Sequence, residues 1–142
     1  MNMVKKSVVL HDISHLLLPF LILFVILYYS PNINVPGVFL IVLVGSFIPD
    51  IDHVNILRNG YFKNFWEFIR YCLSSDRYRK SFLIFHNFVT ILILVISIPI
   101  ISALNIFAGI FLLSILAHII LDFLTDRLLL KTHGHWKLRG WI

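Results

Sequence analysis

Four apolar stretches, each closed by a turn signal or a charged segment, constrain this chain more than any other feature. A helix that crosses a bilayer needs about 20 mostly apolar residues, within a range of about 17–25. Ile13 to Tyr29 is uncharged apart from His15 and stops at Ser30-Pro31-Asn32. Val35 to Ile48 is shorter and is closed by Pro49. Phe82 to Leu104 is interrupted only by His86, Asn87 and a few hydroxyls, and Pro99 predicts a kink within it. Asn105 to Leu124 follows at once and carries His118 and Asp122 near its end. Lys5 and Lys6 give the first stretch the look of a secretory signal. Its apolar run is long, however, and no small-residue cleavage site follows, so the reading is a retained span.

Composition narrows the class. Apolar residues make up 59% of the 142 and charged ones 13%, against about 45–50% and about 25% in soluble domains. A water-soluble globule does not fit, and neither does a disordered chain, which is poor in aromatic and branched apolar residues. The single cysteine, Cys72, rules out an internal disulfide framework and a cysteine-based zinc ribbon. In so apolar a chain the formal charge of +5 points to anionic membrane lipid as the partner, with no nucleic acid expected.

Between the second and third spans, Lys63, Asn64, Glu67 and Arg70 share one helical face, while Phe62, Phe65, Trp66, Ile69 and Leu73 share the other. That pattern suits a helix lying in the membrane interface, or equally an amphipathic helix packed on the bundle. With four spans, all twelve Lys and Arg residues fall on the side of the two termini and the central segment. The opposite connections, 30–34 and 102–105, carry none. The positive-inside rule makes the basic side cytoplasmic. The expectation is one all-α integral domain over residues 1–142, multi-pass in the plasma (inner) membrane with cytoplasmic termini. It has four transmembrane helices at about 13–29, 35–49, 82–104 and 105–124. An interfacial helix at about 61–73 and a cytoplasmic tail at 125–142 complete it.

Acids and histidines gather on that same side. His11, Asp12 and His15 stand where the first span leaves the cytoplasm, and Asp50, Asp52 and His53 where the second returns. His86 is expected about one turn inside the third span, and His118 and Asp122 lie in the last turns of the fourth. Burying such groups singly costs at least about 2.5–3.5 kcal/mol for an aspartate at mid-membrane. A shared polar site on four helices explains them better than four separate accidents. Imidazole and carboxylate suit zinc, manganese or iron, and the lack of thiolates argues against a soft-metal site. His118 and Asp122 are four residues apart, as are His11 and His15, so each pair shares a helical face.

Each candidate also has a plainer reading. His11 and Asp12 fit wet interfacial residues, His15 and His86 fit hydrogen-bonded bundle residues, and Asp50, Asp52 and His53 fit a solvated loop. His118 with Asp122 fits a structural pair. Asp126, His133 and His135 read most simply as solvated, although His-Gly-His could hold a further ion. Arg79 and Lys80 fit positive-inside anchors.

These motifs resemble the YdjM-like family of inner-membrane proteins, considered metal-dependent hydrolases. The matching residues are Asp12-Ile13-Ser14-His15, Ile48-Pro49-Asp50-Ile51-Asp52-His53, His86, and Ala117-His118 through Asp122 and Thr125. Two features depart from the family pattern. Its His-Arg-Gly-x-Thr-His-Ser segment is reduced to Arg79-Lys80 and a lone His86, and Asp126 replaces the proline after Thr125. Either the ligand set is incomplete or His11 takes the missing place. The family is akin to the zinc-dependent phospholipase C and single-strand nuclease superfamily, a kinship that implies phosphoester chemistry.

The expected function is a cytoplasm-facing, metal-dependent hydrolase acting on a phosphoester of a lipid or lipid-linked substrate. His15, Asp52, His53, His86, His118 and Asp122 are assigned as ligands of a divalent metal, zinc first, with manganese or iron as alternatives. His11 and Asp126 form a second rank. Asp50 either bridges ions or takes the proton from water, and Arg79 and Lys80 steer an anionic headgroup. The rival readings are a divalent-metal or proton transporter or channel, and a non-catalytic membrane adaptor with a structural ion. An offset of 72 relates Gly37-Val38-Phe39-Leu40 to Gly109-Ile110-Phe111-Leu112, and Asp50 to Asp122. Two parallel hairpins or chance similarity explain it equally well.

Overall fold

A computed structural model describes residues 3–53, 66 and 84–130. Every regular element among the described residues is helical. Helix α1 is Met3–Tyr29, and α2 is Val35–Phe47, running on into a 3-10 turn at Ile48–His53. Helix α3 is Phe88–Leu104, and α4 is Ile106–Thr125, running on into a π turn at Asp126–Leu130. By length and composition, Val9–Tyr29 and Ile106–Leu128 can each cross a membrane, whereas the apolar helices Val35–Ile51 and Phe88–Leu104 are shorter. The interfacial segment 61–73 (Trp66 apart), Arg79, Lys80 and the tail from 131 with His133 and His135 lie outside the described residues.

Three helices begin on an asparagine, and the caps fix where the chain turns. Asn34 Oδ1 accepts from the Gly37 amide at 3.3 Å, with Pro36 in the first turn, where no amide is needed. Asn87 Oδ1 accepts from the Thr90 amide at 2.9 Å. Asn105 Oδ1 accepts from Phe107 and Ala108 at 3.0 and 3.2 Å, so one extended residue ends α3 and starts α4.

Two expectations are corrected, the first of them by a cap. The third helix starts at Phe88 and not at Phe82, because Asn87 competes for the first amides and leaves 84–87 as bends. His86 therefore stands just ahead of the helix, not one turn inside it. The first helix starts well before Ile13, which brings His11 and Asp12 into its regular ladder.

Helix α4 is the hub, touching α1, α2 and α3. One of its faces joins Leu18 and Ile22 of α1 and Val38 and Val42 of α2 through Ile110. The other packs Ile115, Leu116 and Ile119 on Leu94 of α3. Gly45 lets α2 approach α4 closely, since a Cβ there would sit 2.9 Å from the Phe111 carbonyl oxygen and from Ser114 Cβ. Small residues at such crossings are how helices pack within lipid.

Outward, α1 and α3 present Leu16, Leu21, Phe24, Leu92, Ile96 and Ile100, all well exposed. In water, apolar surface on that scale is an association hazard; against lipid chains it is the ordinary exterior.

Candidate metal centre

The ionisable groups of the bundle meet around one carboxylate. Asp122, on the last turn of α4, is buried to 2% exposure, and His11, His86 and His118 are equally closed off. Helical periodicity explains the convergence. His11 and His15 are one turn apart on α1, and His118 and Asp122 one turn apart on α4. His86 reaches the same point from the bends before α3, and Asp50 from the 3-10 turn after α2.

The distances are short. His15 Nε2 lies 2.8 Å and His11 Nε2 3.6 Å from Asp122 Oδ1. On the other oxygen, His86 Nε2 lies 2.6 Å and His118 Nε2 3.0 Å from Oδ2. Asp50 Oδ1 stands 3.6 Å from His118 Nε2, with its side chain 44% exposed, so the site opens past Asp50.

Backbone and hydroxyl partners orient the imidazoles on α1 and favour the tautomer with the proton on Nδ1. His15 Nδ1–H donates to the His11 carbonyl at 2.9 Å, which leaves Nε2 with its lone pair. Thr125 donates its hydroxyl proton to the Leu121 carbonyl at 2.9 Å, so its oxygen accepts His11 Nδ1–H at 2.7 Å. The lone pair of His11 is therefore also on Nε2. With both rings neutral, two lone pairs face one carboxylate oxygen, where a cation between them offsets the repulsion.

The second test is orphaned polarity. His118 Nδ1 is buried with no hydrogen-bond partner, and the Nε2 atoms of His118 and His15, though close to Asp122, are not aligned with it as hydrogen bonds. Donor atoms that lie close yet aim past each other suit a cation between them. Four imidazoles around one buried carboxylate cannot all be protonated without strong mutual repulsion. The residues fit a divalent metal ion, and two groups of three have all their ligand atoms within 4.8 Å: His11, His15, Asp122 and His86, His118, Asp122.

The structure thus unites His15, His86, His118 and Asp122, with Asp50 at the mouth. His11, ranked second from sequence, is a full member: extension of α1 back to Met3 turns it inward instead of leaving it at a wet interface. Asp126 is buried too, contrary to a solvated reading, because α4 continues into the π turn that carries it. It belongs to neither group of three among the described residues. Asp52 and His53 occupy the 3-10 turn, where the description stops at the backbone. Sequence reading gave Thr125 no role, although its spacing of three from Asp122 and seven from His118 places all three on one face.

Residues 11–128 match the family described as YdjM inner membrane protein. The chain belongs to that family. The match begins at His11 and contains every residue of the cluster. The comparison with curated proteins and that with solved structures returned no match. Family membership and the apolar helices establish a membrane protein, and its His/Asp groups are spaced as a metal ion would require.

Proposed function

We propose that this protein is a membrane-embedded, metal-dependent hydrolase that cleaves a phosphoester of a lipid or lipid-linked substrate. In this reading the chain crosses the inner membrane four times, with both termini and the site on the cytoplasmic side. The observation that carries the proposal is the buried carboxylate ringed by four imidazoles, with half-exposed Asp50 at its edge. A bound divalent cation, zinc by preference for this donor set, supplies acidity to water near neutral pH and offsets charge developing on a phosphate.

The chain's own residues do the rest. His15, His86, His118 and Asp122 hold the cation, and His11 completes the ring. The Thr125 hydroxyl and the His11 carbonyl favour the ligating tautomer of the two α1 imidazoles. Asp50, close to the ring yet wetted, accepts the proton released by water. Four neutral imidazoles and one buried carboxylate leave a divalent ion net positive, which favours an anionic group such as a phosphoester.

Exposed apolar side chains lie close in sequence to the site: Phe47 and Ile51 near Asp50, and Ile84 and Phe88 near His86. Such neighbours favour an amphiphile over a small polar ester. The interior above the site speaks against an ion path. Beyond Ser114 and Ser46 it is closed by Val38 and Val42, both fully buried, together with Leu18, Ile22 and Ile110.

The test is phosphate release from a panel of phospholipids and lipid-linked phosphates by detergent-purified protein loaded with zinc or manganese. Hydrolysis that disappears on chelation and in Asp50→Asn, with metal content kept, is the expected result. Metal-loaded protein inert across the panel would leave the adaptor reading in its place.

A further inference from the structure

Asp122 is approached from two sides by two separate pairs of imidazoles. Oδ1 faces His11 and His15 of α1, whereas Oδ2 faces His86 and His118. The geometry points to a two-ion centre bridged by Asp122, one cation held by His11, His15 and Oδ1 and the other by His86, His118 and Oδ2. This deepens the proposed hydrolase site and rests on that reading.

One ion does not account for the donor set. Zinc in a closed protein site takes four ligands at about 2.0–2.2 Å from nitrogen or oxygen. Here four imidazole nitrogens and two carboxylate oxygens compete, and the nitrogens are divided between the two oxygens. A single tetrahedral ion on either face would leave the two Nε2 atoms of the opposite face uncoordinated. Two ions leave none.

Each ion then has three protein donors, the number that keeps a fourth position open for water or substrate. A bridging carboxylate places two ions about 3.5–4 Å apart, the spacing of two-metal hydrolytic centres. The α1 position is the more enclosed of the two, since His11 and Asp122 are buried and the His15 side chain is 11% exposed. The second lies next to Asp50, 3.6 Å from His118 Nε2, and so borders the opening. Two divalent cations against Asp122 and Asp50 leave a charge of +2, which matches a phosphate group carrying two negative charges.

The experiment uses the full chain in detergent, stripped with chelator, equilibrated with Mn(II) and desalted. Metal per chain is measured by elemental mass spectrometry, and coupling between ions by electron paramagnetic resonance. Two ions per chain with the exchange-coupled spectrum of a neighbouring pair are expected. His15→Ala and His86→Ala should each leave one ion with an isolated-ion spectrum. One ion in the wild type, or two uncoupled ions, overturns the bridged pair and leaves the hydrolase reading standing. No bound ion overturns both. Should the variants fail to fold, the wild-type count and spectrum decide alone.

Discussion

The two sides of Asp122 are built differently. On the α1 side both imidazoles are braced through their far nitrogens, His15 against the His11 carbonyl and His11 against the Thr125 hydroxyl of α4. On the other side His118 has no partner for Nδ1, and His86 rides on bends that precede α3. Bracing of this kind sets ring orientation, and its loss in metal proteins typically costs 10–100-fold in affinity. The contrast teaches that both α1 rings are oriented before any cation arrives, while the His118 ring depends on Asp122 and the cation to hold it.

The largest effect expected is at the shared carboxylate. Asp122→Ala should abolish metal retention and hydrolysis together, measured by elemental analysis and phosphate release. Retained metal would break the comparison, because the two sides would then not share a centre. Next, Thr125→Val should weaken metal binding by about 10–100-fold, and Thr125→Ser should restore it. A competition titration with a fluorescent chelator reads both, and equal affinities for Val and Ser would show that the hydroxyl does not orient His11.

Gly45→Ala should destabilise the folded state by about 1–3 kcal/mol, read as a lower Tm in detergent, since the added methyl meets the backbone of α4. It should also separate Asp50 from His118 and so lower hydrolysis more than metal content. The smallest effect belongs to Asn87→Ala, about 1 kcal/mol from the lost cap. It sharpens the comparison if metal is lost from the His86 side while the α1 side keeps its ion.

Much of this was legible in the sequence because apolar run length and i, i+4 spacing are local signals. The C-terminal end of α1, the ends of α4 and the pairing of His118 with Asp122 follow from them directly. The start of α3 was hidden, since Asn87 sits in an otherwise apolar stretch and its capping role appears only when its side chain meets the Thr90 amide. His11 was underrated for a related reason. Spacing put it on the face of His15, but only the packing of α1 against α4 shows that this face points inward at that depth. The central place of α4 and the division of four imidazoles between two oxygens are tertiary facts, which one-dimensional periodicity does not encode.

His86 differs from its companions in what carries it. Residues 84–87 make no helical ladder, and their backbone is tied to α3 instead by the Asn87 side-chain amide and the Thr90 hydroxyl, which both donate to the Ile84 carbonyl. The imidazole is thus seated by cap chemistry and not by a helical turn, so a change at the asparagine beside it reaches the buried carboxylate through the backbone.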